Sequence, residues 1–279
     1  MTHTALHALK TSFTSTRTPP DHEAFQFVEV DSDGGLMTSD GVAISAGHVT
    51  GRTAVNKFGF NPTLTTATDP ETIWDAGGLW VGPTVSRVHQ LASTSTDDDG
   101  DPAGTGARTV TIFGLDANWA AQTETYTLNG TTDVPTTAYR RIFRMFVATA
   151  GSTGSNVGTI TATADTDATV TAQINATNGQ TGMAVYTVAT GKTLYITQMN
   201  ARIVGVGNAF AEMRLVANFG LDTATPSLRT QHFWSASADA ASVMFDPPKA
   251  IAGPTDVEIR AQTVGGNVAI SAWFDGVLI

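Results

Sequence analysis

The run Asp97-Asp98-Asp99-Gly100-Asp101 concentrates more ionisable side chains than any other short stretch of the chain. Closely spaced carboxylates are the raw material of a calcium loop, because Ca²⁺ is held by several oxygen ligands. The helix-loop-helix calcium pattern also requires Gly at its sixth position and Glu at its twelfth. Counted from Asp97, these positions hold Pro102 and Arg108, so the pattern fails. The run reads as a solvated acidic loop, with a loose Ca²⁺ or Mg²⁺ site as the alternative. Four of the six histidines, His3, His7, His22 and His48, fall in the first fifty residues at irregular spacing, which argues against a metal site.

Nucleophilic chemistry finds no better footing. Gly151-Ser152-Thr153-Gly154-Ser155 has the small residues of a nucleophile elbow but lies in a turn between strands, with no helix to follow. His89 and His232 fall in strand-like segments, where a packed structural imidazole is the plainer reading and a His–Asp pair the sharper one. Glycoside hydrolysis needs two facing carboxylates, and nothing in the sequence singles out a pair. Gly104-Thr105-Gly106-Ala107-Arg108 leads into a strand, so it offers no helix N-terminus to an anion. The expectation is therefore no catalytic, cofactor-binding or metal-ligating residue, and a protein that is not an enzyme.

Two kinds of side chain remain as binding candidates. Trp74, Trp80, Trp119, Trp234 and Trp273 could stack on a sugar, but Trp74 and Trp80 beside the Gly77-Gly78 pair read first as plugs anchoring a loop on a sheet. In Arg140-Arg141-Ile142-Phe143-Arg144, alternation puts Arg140 and Arg144 on one face. That face is either simply exposed or docks on an acidic neighbour.

The elements that would carry these residues are strands. Charged residues make up only 14% of the chain and hydrophobic ones 41%, with Thr, Ser, Asn and Gln supplying the remaining polarity. That mix suits half-buried strands and not helical bundles. Strand patterns recur at residues 108–113, 123–128, 140–149, 157–163, 183–188, 193–200, 212–218, 228–234, 256–263 and 267–274. In 256–262, Val257, Ile259 and Ala261 share one face and Asp256, Glu258 and Arg260 the other. In 212–217, Met213, Leu215 and Ala217 oppose Glu212 and Arg214, so a one-residue slip would expose the apolar set. Asn129-Gly130 is a strong hairpin signal. The best helical candidate, residues 6–10, is too short to stand alone.

The fold class expected is all-β, with two antiparallel β-sandwich or jelly-roll-like modules and an extended N-terminal arm. Residues 1–75 form the arm (1–24) and short strands, including 25–30, that dock on neighbours. Residues 76–168 form the first module and 169–279 the second. Exposed sandwich edges need covering, which points to a homo-oligomer; a trimer would serve. The net charge of −10 argues against direct nucleic-acid binding. The absence of cysteine excludes disulfides. No stretch approaches the roughly 18 apolar residues of a membrane helix, and no secretory signal is visible at the N-terminus.

Several runs carry a family resemblance. Lys57-Phe58-Gly59-Phe60-Asn61-Pro62 with Thr66 to Asp75, Gly104 to Val110 with Gly114-Leu115-Asp116, Glu124 to Thr132, and Ala184 to Val188 with Gly191 to Tyr195 resemble an uncharacterised group of tailed-bacteriophage virion structural proteins of marine-phage type. The resemblance covers about residues 55–200. It implies a particle component, made in the host cytoplasm and located in the virion, and brings no catalytic residue with it. The common tailed-phage shell fold carries a long spine helix that no segment here could form. The expected role is therefore a head decoration or cement protein bridging shell subunits, with the major capsid protein or other virion proteins as partners. The alternatives are a tail, baseplate or fibre component, a glycan-binding host-attachment module, or a glycan hydrolase.

Overall fold

The computed structural model describes residues 41–66, 69–204, 210–237, 240–264 and 266–279. The expected arm, its short helix and the strand at 25–30 lie outside them. Before Val55 the described chain forms a one-turn helix, α1 (Gly41–Ser45). Val55–Ile279 is one compact unit, built almost wholly of strands, as the Thr-rich, charge-poor composition expects.

The strands are β1 (Thr53–Leu64), β2 (Glu71–Thr72), β3 (Arg87–Ser93), β4 (Ala107–Leu115), β5 (Ala121–Thr127), β6 (Val134–Tyr139), β7 (Arg141–Ala150) and β8 (Ile160–Ala164). They continue as β9 (Thr169–Ile174), β10 (Val185–Val188), β11 (Thr193–Val204), β12 (Phe210–Phe219), β13 (Ser227–Ala236), β14 (Ala241–Ala252), β15 (Thr255–Val264) and β16 (Val268–Leu278). Four sheets result. One has the order β6-β3-β8-β9 and another β5-β4-β7; a third has the order β1-β16-β11-β14; the fourth is β10-β15-β12-β13, with β2 added on β15.

The sheets pack in pairs. Leu91, Ile160 and Ile174 of the first sheet interleave with Val110, Ile112 and Met145 of the second in one core. Met199, Ile270 and Phe274 of the third meet Met213, Leu215 and Ile259 of the fourth in another. The alternation read in 212–217 and 256–261 holds: Met213, Leu215, Ala217, Val257, Ile259 and Ala261 are all buried. In β11 the inward set changes parity, from Leu194 and Ile196 to Met199, Ala201 and Ile203. A bulge between Ile196 and Gln198, seen in the pairing with both neighbours, absorbs the extra residue.

Strand pairing departs from the sequence-based boundaries. Residues 53–72 are not part of a separate docking segment: β1 pairs with β16 and β2 with β15, completing the sheets of the second sandwich. The first sandwich, β3 to β9, is thus inserted between β2 and β10. The boundary at 169 also moves, because β9 pairs with β8. Local patterning assigns a strand to its neighbours in sequence, whereas β1 finds its partner some two hundred residues away. Asn129-Gly130 turns the chain, with Thr132 N–H donating to Asn129 C=O, but it does not close a hairpin. β5 before it pairs with β4, and β6 after it crosses to pair with β3.

Candidate functional site

Two carboxylates on the charged face of β15 are withdrawn from water. Asp256 and Glu258 are buried. They sit where the inserted sandwich is seated on the second one. Arg141 of β7 reaches Asp256 with Nε at 2.9 and 3.2 Å from its two carboxylate oxygens and Nη2 at 3.0 Å from Oδ2. Thr187 Oγ1 donates to the same carboxylate at 2.7 Å. Arg141 Nη1 donates to the carbonyls of Pro83 and Arg140, and the guanidinium lies 5.2 Å from the Trp119 ring and 5.8 Å from the Trp80 ring. A buried bidentate pair whose Nη1 also donates to two carbonyls is the arrangement in which such a pair offsets its own desolvation.

The joint has two further layers. Leu115, Trp119 and Leu221 form a small apolar cluster with Phe143 packed against it, and Phe143 meets Tyr186 at 4.9 Å between ring centroids. Lys57 of β1 is buried and donates from Nζ to Phe143 C=O. Burial, with Arg144 nearby, pushes its ammonium down to about 7. Glu258 accepts from Thr72 Oγ1 and from Arg260; burial nonetheless raises its carboxyl.

Beside the joint is a cleft of about 400 Å³ lined by Phe58, Phe60, Asp75, Asn175, Asn178, Gln180 and Gly182. Phe58 and Phe60 share a face of β1 through strand alternation. Asp75 accepts from Gly182 N–H at 2.6 Å and Asn175 Nδ2 at 3.3 Å. Burial pushes its carboxyl up to about 6, against the pull of those hydrogen bonds. Two glycines allow the close approach. A Cβ on Gly59 would stand 2.1 Å from Ile73 C=O, and one on Gly182 2.8 Å from Asp75 Oδ1.

Trp74, Trp80 and Trp119 are buried; Trp80 donates to Thr171 C=O and Trp74 to Gly78 C=O. They are plugs, and Trp234 and Trp273 are half-buried. Arg140 lies over Trp119 at 4.6 Å and Arg144 reaches Gln180 Oε1 at 2.9 Å. Arg141, which alternation alone did not single out, is the one that docks, and it docks inside the chain. An extra residue at the Phe113/Gly114 register shift in the β4–β7 pairing re-aims this end of β7.

The acidic loop is not simply solvated. Asp98 is fully buried, and its carboxylate accepts from Ser93 Oγ and from the N–H groups of Ala107, Val157 and Gly158 at 2.6 to 2.8 Å. It ties β3, β4 and the turn before β8 together. His89 is buried, with Nδ1 3.0 Å from Arg87 C=O and its ring edge-on to Tyr139. His232 packs against Phe245 and Trp234. Among the described residues, no group of three or more His, Cys, Asp or Glu is placed to hold a metal ion. Among them, too, no helix is long and apolar enough to cross a membrane.

A third feature lies at the side of the second sandwich where β13 and β14, each the last strand of its sheet, come together. His232 and Phe245 meet there, and Lys249 Nζ donates to Gln231 C=O at 3.0 Å. Phe233 is 64% exposed, Met244 79% and Leu228 51%. β14 has no strand signal in the sequence because it contains Pro247-Pro248. The prolines fall in the bulge opposite Thr197, on an edge, where a missing N–H breaks no ladder.

No family model matches the chain, and no curated protein does. Among solved structures, a chain in the structure of infectious bursal disease virus, Gt strain, is similar to it at 12% identity with a TM-score of 0.25, over 82% of this chain and 72% of that one.

Proposed function

We propose that the chain is a non-enzymatic structural subunit of a virus particle: a decoration or cement protein on the head of a tailed phage, bridging shell subunits. The observation that carries this reading is the β13–β14 side. Two adjacent edge strands with Leu228, Phe233 and Met244 exposed present both backbone hydrogen-bonding groups and apolar side chains to a partner. An isolated subunit would be prone to edge-to-edge association there, and burial in an assembly removes the liability. The tailed-phage part of the reading is supported by the sequence resemblance over residues 55–200.

The joint supports the same role. Its ionisable groups are consumed internally: Arg141 by Asp256, Glu258 by Arg260, Lys57 by a carbonyl. Such an interface holds two sandwiches as one rigid body, which suits a part that transmits load. The mechanism is passive. Apolar area buried across shell boundaries stabilises at roughly 25 cal/mol per Å², less the cost of association, and acts over many copies. A tail, baseplate or fibre component would use the same edge.

The test is to prepare particles with and without this protein and heat them. The expected result is that heads lacking it release their DNA at lower temperature, while tails remain attached and functional. Equal head stability with a loss of adsorption would contradict the head assignment and favour the tail.

A further inference from the structure

The cleft beside the joint has a composition that structural cement does not require. Phe58 and Phe60 present two aromatic side chains in succession along β1, with Phe58 38% exposed. Around them stand three side-chain amides, Asn175, Asn178 and Gln180, and the Asp75 carboxyl. The amides are only partly used within the chain. Gln180 Oε1 accepts from Arg144, and Asn175 is engaged with Gln173 and Asp75, while Asn178 is exposed on the rim. Each side-chain amide offers both donors and an acceptor.

We propose that this cleft is a binding site for a neutral sugar chain. The apolar faces of pyranose rings pack on exposed aromatic rings, and their hydroxyls need paired donors and acceptors at the side, which amides supply. Successive aromatics along one face of a strand suit a linear chain of rings. No Lys or Arg lines the cleft, and its one carboxylate is Asp75, so an acidic sugar has no counter-charge among the lining residues. A single carboxylate also speaks for binding without cleavage, since glycoside hydrolysis uses two. The pocket is preformed: Gly59 and Gly182 permit the approach of backbone segments, and Asp75 is fixed by the Gly182 N–H. Sugar recognition by Trp, the alternative raised by the sequence, moves to Phe58 and Phe60. The site stands apart from the virion reading and would hold whatever assembly the chain belongs to.

Saturation-transfer NMR on the full chain, followed by titration calorimetry, tests this with cellohexaose, maltohexaose, hexa-N-acetylchitohexaose and mannohexaose as neutral probes. A polygalacturonate hexamer and a heparin hexasaccharide serve as acidic probes. The expected result is binding of at least one neutral probe with Kd on the order of 1 mM or tighter. Phe58→Ala and Gln180→Ala should each weaken it by about tenfold with unchanged thermal unfolding, because both side chains lie at the surface. Three results would overturn the proposal: no neutral probe binds, an acidic probe binds preferentially, or binding survives both substitutions undiminished. Failure here would leave the heat-release test of the particle untouched.

Discussion

Arg141 and Asp256 face each other across the boundary between two sandwiches, one on β7 of the inserted module and one on β15 of the module that receives it, at 2.9 Å. Each is almost wholly removed from water, with side-chain exposures of 7% and 4%. Removing one partner strands the other charge, whereas removing both leaves an apolar gap. Arg141→Met should therefore cost about 3–5 kcal/mol. The pair Arg141→Met with Asp256→Leu should cost less than the two single changes summed, by on the order of 2 kcal/mol. Denaturant unfolding of the four proteins in the cycle measures both.

Asp98 makes a second such test. Its carboxylate serves one hydroxyl and three backbone N–H groups at once. Asp98→Ala orphans all four and should destabilise by about 3 kcal/mol or more. Asp98→Asn, with one acceptor oxygen in place of two, should fall between. Adding millimolar Ca²⁺ or Mg²⁺ should leave the Tm of the unmodified protein unchanged. A cation-dependent rise would revive the loose metal-site reading of residues 97–101.

Burial pushes His89 down to about 4 from its ordinary 6.5. The unfolded chain then binds a proton at a pH where the native imidazole stays neutral. Stability from this group is complete above pH 6.5 and is lost as pH falls from 6.5 towards 4. The total is about 3 kcal/mol at most. Unfolding free energy measured across that range should fall, and His89→Phe should reduce the slope. Asp75 works in the opposite sense. With its carboxyl up at about 6, its native form holds a proton more tightly than the unfolded chain, so it adds stability as pH falls through 6 towards 3.8. Asp75→Asn should therefore steepen the acid loss.

Much of this fold was legible from alternation. Met213, Leu215 and Ala217, and Val257, Ile259 and Ala261, occupy the core faces that a two-residue period assigns them. What alternation cannot reveal is what lies against the other face. Alternation puts Asp256 and Glu258 opposite the core set, but nothing local shows that the seating of an inserted module buries them. The insertion itself is invisible locally, because β1 and β16 carry no mark of each other. β14 was hidden by Pro247-Pro248, which are tolerated because the strand is an edge with a bulge. The cleft was hidden for a related reason. Phe58 and Phe60 lie in the run Lys57 to Pro62, but Asn175, Asn178 and Gln180 come from a distant turn and carry no spacing signal.

The β13–β14 side should govern self-association or docking. Phe233→Glu and Met244→Lys change side chains that are already mostly exposed, and a carboxylate at 233 keeps a partner for Arg214, whose guanidinium lies 5.4 Å from the Phe233 ring. Each should alter the unfolding free energy of an isolated subunit by less than about 0.5 kcal/mol yet abolish incorporation into particles. Light scattering of the purified chain and quantitation of assembled particles read the two effects separately.

Copy number per particle addresses the central claim most directly. Quantitative mass spectrometry of purified particles, scaled to the major shell protein, gives it in one measurement. A head decoration protein should be present in hundreds of copies, in fixed ratio to the shell subunit. A few tens of copies or fewer would contradict the head assignment, and absence from the particle would contradict the structural role altogether.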